Sequence, residues 1–151
     1  MLTPLHMGAT HTKPGSGKKR NLPLPYFYVV HPEKVRALTA RDRGRSLNGI
    51  IRELNEYIRG WWGYFQTGAS QNLTRPLNDW ILRRLRAYVW SQWRLPRTKV
   101  RELLARGVHP RWAHSMGNTR KGPWRISKQS PLHTALPEDY FTRKLGLVLP
   151  G

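Results

Sequence analysis

Arg83, Arg86, Trp90 and Arg94 follow one another at steps of three, four and four residues, the spacing that stacks side chains on one face of a helix. That face would hold three guanidinium forks, which bind phosphate through paired hydrogen bonds, and one indole, which stacks on an unpaired base. The chemistry indicated is recognition of nucleic acid. A second stripe, Asn48, Arg52, Asn55, Arg59 and Gln66, fits within about a 60° sector of a helical wheel and is polar without being acidic. Solvated helix faces ordinarily mix charge signs, whereas from Arg41 to Lys128 nineteen Lys and Arg stand against five acids, with all seven Trp interleaved. Trp61 and Trp62 fall on an apolar face and are expected in the core. Trp90 shares its face with arginines and is expected in solvent.

Catalysis finds little support in the same inventory. The eight carboxylates are scattered over Glu33, Asp42, Glu53, Glu56, Asp79, Glu102, Glu138 and Asp139, and only the last two adjoin, so none are spaced to hold metal ions over a phosphodiester. His109, His114 and Asn118 could form a nuclease-like group, but no carboxylate accompanies them, and an exposed or RNA-facing role is preferred. With no Cys, disulfides, thiol nucleophiles and zinc-finger sites are excluded. No catalytic residue, metal site or cofactor is expected, and the chain reads as a non-enzyme.

The 151 residues carry a formal charge of +19, which repels itself in a compact state and calls for a polyanionic partner. At 38% hydrophobic, the chain is too apolar for a disordered basic tail, and its length allows one ordinary domain plus an appendage. No long apolar run is present, so no membrane span is expected. Residues 1–25 place Pro and Gly breaks around the cluster Lys18, Lys19 and Arg20 and read as a disordered basic leader. That leader lacks the apolar stretch of a secretory signal, and the chain is assigned to the cytoplasm.

Three helices must position the basic groups. From Ser46 to Thr67, Leu47, Ile50, Ile51, Leu54, Ile58, Trp61, Trp62 and Phe65 recur at three- and four-residue steps, with Ser46 as N-cap and Gly68 as stop. Gly60 in its interior suggests close approach of another group at that turn. Thr74 to about Arg94 forms the second, capped by Thr74, with Leu77, Ile81, Leu85, Tyr88 and Val89 inward. The third runs from Thr98 as cap to Arg106, ended by Gly107, with Val100, Leu103 and Leu104 inside. Pro32 to about Ala40 can open a further helix with Val35 and Leu38 inward, after a short strand or packing tail at Tyr26–Val30. Beyond His109 the Gly and Pro interruptions indicate a mostly irregular basic module. The fold class is therefore all-α, with a three- to four-helix domain over 26–95 and a short helix plus an irregular nucleic-acid-binding region over 96–151.

At Leu54-Asn55, Ile58-Arg59-Gly60-Trp61 and Tyr64-Phe65 the sequence closely resembles the maturase-specific domain, also called the X or thumb domain, of bacterial group II intron reverse transcriptases. Flanking blocks extend the likeness in the same order: Thr39 to Leu47 upstream, then Leu77 to Trp93, Pro96 to Val108, Gly117 to Ser127 and Leu132 to Leu149. The resemblance covers residue 29 to the end. It implies a helical thumb that grips the element's own intron RNA so that the ribozyme folds and splices, followed by a basic region associated with target DNA. Residue by residue, it implies RNA contact at Asn55, Arg59, Gly60, Trp61 and Tyr64, and then at Arg83, Arg84 and Arg86. Lys99, Arg101, Arg120, Lys121, Trp124 and Arg125 match the trailing blocks. Arg52, Trp90 and Arg94 join the RNA-binding candidates from the two stripes. The family's polymerase palm with its paired aspartates is not found in these residues, so no polymerase activity is inferred, and a separate palm-and-fingers chain is a candidate partner.

These observations converge on an RNA-binding maturase domain that stabilises the splicing-competent fold of intron RNA without catalysis of its own. Its rivals are a DNA-binding module of a retroelement protein, acting through the trailing basic segment, and an inert remnant with no preference for RNA over other polyanions.

Overall fold

The computed structural model describes residues 32–42, 44–65 and 71–151, and among these the side chains of all but 64, 65 and 71–73. The leader, the run Tyr26–Val30, the Gly68 stop and the side chain of Tyr64 lie outside the described residues.

Pro32, with its fixed φ and missing N–H, opens α1 (Pro32–Leu38), which turns Val35 and Leu38 into the core. Ser46 caps α2 (Leu47–Phe65), its Oγ accepting from the Gly49 N–H at 3.2 Å. Ile50, Ile51, Leu54 and Ile58 form the buried stripe that the three- and four-residue spacing requires. α3 (Gln71–Gln92) begins one turn before the expected cap: Thr74 is buried inside the helix and Pro76 lies in its interior. A proline there removes one helical hydrogen bond. Burial of Thr74 and Leu77 holds the turn in place despite that loss.

α4 (Pro96–Ala105) likewise starts at a proline rather than at the Thr98 cap. It ends in a Schellman motif: Gly107 adopts φ +80°, its N–H donates to Leu104 O at 3.0 Å, and the Val108 N–H reaches back to Leu103 O at 3.1 Å. Val108 and Leu103 are both buried, which supplies the apolar contact such a motif carries. Leu104, expected inside, is 40% exposed, since it lies 100° around the helix from Leu103.

The segment expected to be mostly irregular is largely helical. α5 (Pro110–Gly117), α6 (Pro123–Ile126) and α7 (Ser130–Ala135) each have a proline in the first two positions, followed by a π-helical turn at Tyr140–Lys144. The prolines that read as breakers act here as helix starters. No strand occurs among the described residues, and no described helix is long and apolar enough to cross a membrane.

One core runs through all of this. Val35, Leu54, Leu85, Trp90, Leu103, Met116, Ile126, Leu132, Phe141 and Leu147 belong to a single buried cluster, so apolar packing is continuous across residues 95 and 96. α4 packs on α5, and α6 on α3. The α4–α5 contact is close at Gly117, where an added Cβ would sit 2.4 Å from Val100 Cγ2 and 3.2 Å from Pro96 O. The C-terminal tail returns to the first helices: Asn55 of α2 bonds Gly146 and Val148, and Asn78 Nδ2 of α3 donates to Pro150 O at 2.9 Å.

Candidate nucleic-acid interface

The expected exterior face of α3 is mostly interior. Trp90 is 1% exposed and lies edge-on to Trp93 at 6.0 Å, with Lys99 Nζ 4.9 Å from its ring centroid. Arg86 is 7% exposed and its Nε donates to Leu136 O at 2.9 Å. Burial pulls its pKa down, and the charges of Asp79 and Glu138 oppose that shift. Arg83 is half-buried, donating to Ser127 Oγ at 3.3 Å and Trp124 O at 3.0 Å, with its guanidinium 3.8 Å from the Trp124 ring centroid. Arg94 alone of the four is exposed. The expectation that three guanidiniums and an indole face solvent is corrected on this point. α6 and α7 fold back over this face, and the arginines serve as polar ties to the returning chain.

The α2 stripe divides in the same way. Arg52, Arg59 and Gly60 are exposed. No described atom lies within 4 Å of a Cβ built on Gly60, so the close approach expected there is absent among the described residues. Asn55 is engaged by the tail, and Trp61 is half-buried beside Trp62 at 5.7 Å. In the trailing region Arg101, Arg120, Lys121 and Arg125 are exposed, with Arg101 3.3 Å from Glu102. Trp124 is half-buried. His109 caps α5, its Nδ1 accepting from the Arg111 N–H at 3.3 Å, and Asn118 Nδ2 donates to His114 O. Both hydrogen bonds are helix-terminal, and no group of three His, Asp or Glu suited to a metal is present among the described residues.

What the structure gathers instead is a cleft of about 300 Å³ lined by Arg36, Thr39, Arg41, Trp80, Arg84, Ala87 and Trp124. Trp80, Arg84 and Ala87 are the i, i+4 and i+7 positions of one α3 face, about 60° around the helix from Arg83. α1 and the turn after it bring Arg36, Thr39 and Arg41, and α6 brings Trp124. Arg84 is fixed at the end of α1, where its Nε donates to Thr39 Oγ1 and its NH2 donates to Arg36 O at 3.3 Å. Thr39 Oγ1 in turn donates a hydrogen bond to Val35 O at 2.7 Å. Two of the fork's five donors are used this way, and the others have no acceptor among the described residues. The same guanidinium lies 5.5 Å from the Trp80 ring centroid. Burial, reinforced by the like charges of Arg36 and Arg41, lowers the Arg84 pKa to about 10. It remains charged at neutral pH, and no carboxylate lines the cleft among the described residues.

Cations held without a counter-charge make a site for an anion, and indoles beside them make a site for a planar one. The sequence profile of the group II intron maturase-specific domain matches residues 31–107, just over half of the chain. The chain belongs to this family. No curated protein matches it in sequence. The maturase-specific domain so defined runs from the start of α1 through α4 and contributes Arg36, Thr39, Arg41, Trp80, Arg84 and Ala87 to the cleft; Trp124 comes from the segment beyond the match. A group II intron maturase function, and with it an RNA-related role, follows from membership.

Of the cleft residues, only Arg84 and Trp124 are expected from the sequence. Trp80 and Ala87 could have been found, since they share the Arg84 face at helical spacing. Arg36 and Arg41 lie more than forty positions away and carry no local signal of where they end up.

Proposed function

We propose that this maturase-specific domain binds intron RNA and holds it in its splicing-competent fold, with the chemistry left to the RNA. The observation that carries the reading is the convergence of Arg36, Arg41 and Arg84 on one cleft with no carboxylate among its described lining residues. A desolvated guanidinium beside two like charges is stabilised by any phosphate that enters. The surplus of 27 Lys and Arg over 8 acids supplies the long-range attraction, and the exposed Arg52, Arg59, Arg94, Arg120, Lys121 and Arg125 extend it beyond the cleft.

The test is binding of folded group II intron RNA as a function of salt. With six to ten phosphates contacted, affinity falls by about 10³ to 10⁵ between 50 and 200 mM salt. A complex insensitive to salt, or one displaced equally well by heparin and by duplex DNA at the same ionic strength, contradicts the proposal.

A further inference from the structure

We propose that the cleft between α1, α3 and α6 is a subsite for one unpaired ribonucleotide, its phosphate held by Arg36, Arg41 and Arg84 and its base laid against Trp80 and Trp124. This deepens the RNA-binding reading and rests on it.

Size is the first argument. At about 300 Å³ the cleft stands at the lower end of small-molecule sites, enough for a single base with its phosphate and too little for a duplex. A base inside a helix is stacked on both faces and unavailable to an indole, so the occupant comes from a loop, bulge or end.

The second argument is preorganisation. Arg84 is pinned by Thr39 Oγ1 and by the Arg36 carbonyl, with its remaining donors unspent, so little side-chain freedom is lost when an anion arrives. Trp124 is held by Arg83, which is not among the cleft's lining residues and whose guanidinium lies 3.8 Å from the ring centroid and is tied to Ser127 and to the Trp124 carbonyl. Arg83 is thus a positioning residue, not a phosphate ligand. Ala87 lines the cleft between these groups, and any longer side chain there fills the space that a base would take.

The third argument is selectivity of chemistry. Guanidiniums alone accept any polyanion; two indoles in the same small space favour an anion that carries a flat apolar face.

The experiment compares three probes on the full chain by fluorescence anisotropy at matched salt: an unstructured single-stranded RNA oligomer, the same oligomer with its bases removed, and folded intron RNA with heparin as competitor. The intact oligomer should bind about tenfold tighter than the abasic one. Trp80→Leu and Ala87→Leu should abolish that preference, Trp80→Phe should keep most of it, and Arg41→Ala should weaken both oligomers. Equal binding of intact and abasic oligomers, with folded intron RNA still resisting heparin, overturns the subsite and leaves RNA binding standing. A preference that survives both leucine variants at unchanged helicity also overturns it, by locating the stacking elsewhere. Displacement of every RNA by heparin overturns the RNA-binding reading and the subsite together.

Discussion

Asn55 and Val148, 93 positions apart, are joined by a hydrogen bond in which the Val148 N–H donates to Asn55 Oδ1 at 2.8 Å. The other half of the same amide, Nδ2, donates to Gly146 O at 2.8 Å. A side chain that both donates and accepts stands in for a neighbouring strand and fixes the tail against α2, while Leu147 between the two contacts is buried. An asparagine from the block that carries the family likeness is thereby committed to the protein's own C-terminus.

Asn55→Ala removes both bonds and leaves the Gly146 carbonyl and the Val148 N–H without their partner. Stability should fall by about 1–3 kcal/mol, read as a lower urea midpoint. RNA affinity of the folded variant should stay within about twofold of the parent. A large loss of affinity at unchanged midpoint would return Asn55 to the RNA surface.

Gly117 is where α5 touches α4. A methyl group there meets Val100 Cγ2 at 2.4 Å and the Pro96 carbonyl at 3.2 Å, so the stiff Val100 side chain or the α4 backbone must shift. Gly117→Ala should cost about 1–3 kcal/mol despite the better helix propensity of alanine. A variant as stable as the parent in chemical denaturation would show that the contact is looser than described.

Arg86 and Arg41 are both arginines and should behave oppositely. Arg86 is buried on the Leu136 carbonyl, so Arg86→Ala should lower stability by about 1–3 kcal/mol and leave RNA binding near that of the parent once folded. Arg41 is exposed at the cleft, so Arg41→Ala should leave the midpoint within about 0.5 kcal/mol and weaken RNA binding. The comparison needs thermal melts and RNA titrations of both variants. Exchange of the two phenotypes would reverse their assignments.

His133 has its pKa lowered by burial and by the charge of Arg86, against a hydrogen bond to Ser127 O at 3.1 Å and the pull of Asp79. A folded-state pKa below the ordinary 6.5 means that the unfolded chain takes up a proton first as pH falls. Stability should therefore decline on acidification from about pH 7 through the window just below 6.5, and His133→Gln should flatten that decline. Urea midpoints across this range that run parallel for both proteins would remove His133 as the cause.

Much of the architecture can be read locally. Pro32 as a helix start, the Ser46 cap, the Ile50/Ile51/Leu54/Ile58 face and the Gly107 stop all depend on neighbours within a turn, and each stands as the spacing requires. The arginine face of α3 fails for the opposite reason. Nothing within a few residues of Arg86 or Trp90 tells that Leu136 and Lys99 will come to meet them. A polar stripe on a helix is indistinguishable, by sequence period alone, from the polar ties of a helix covered on both sides. The cleft was half visible: the Trp80–Arg84 spacing is local, whereas Arg36 and Arg41 arrive through tertiary packing and Trp124 through the return of α6.

The most direct test of the whole account is the slope of log affinity against log salt for folded intron RNA, measured for the parent and for the Arg36→Ala/Arg41→Ala double variant. Both side chains are exposed, so the fold is expected to survive their loss. Each phosphate contact contributes about 0.7 to 0.9 to the slope, and Arg36 and Arg41 share a single phosphate with Arg84, so the variant should bind more weakly with a slope smaller in magnitude by up to about 0.9. An unchanged slope and affinity would contradict the claim that this cleft is where the protein meets RNA.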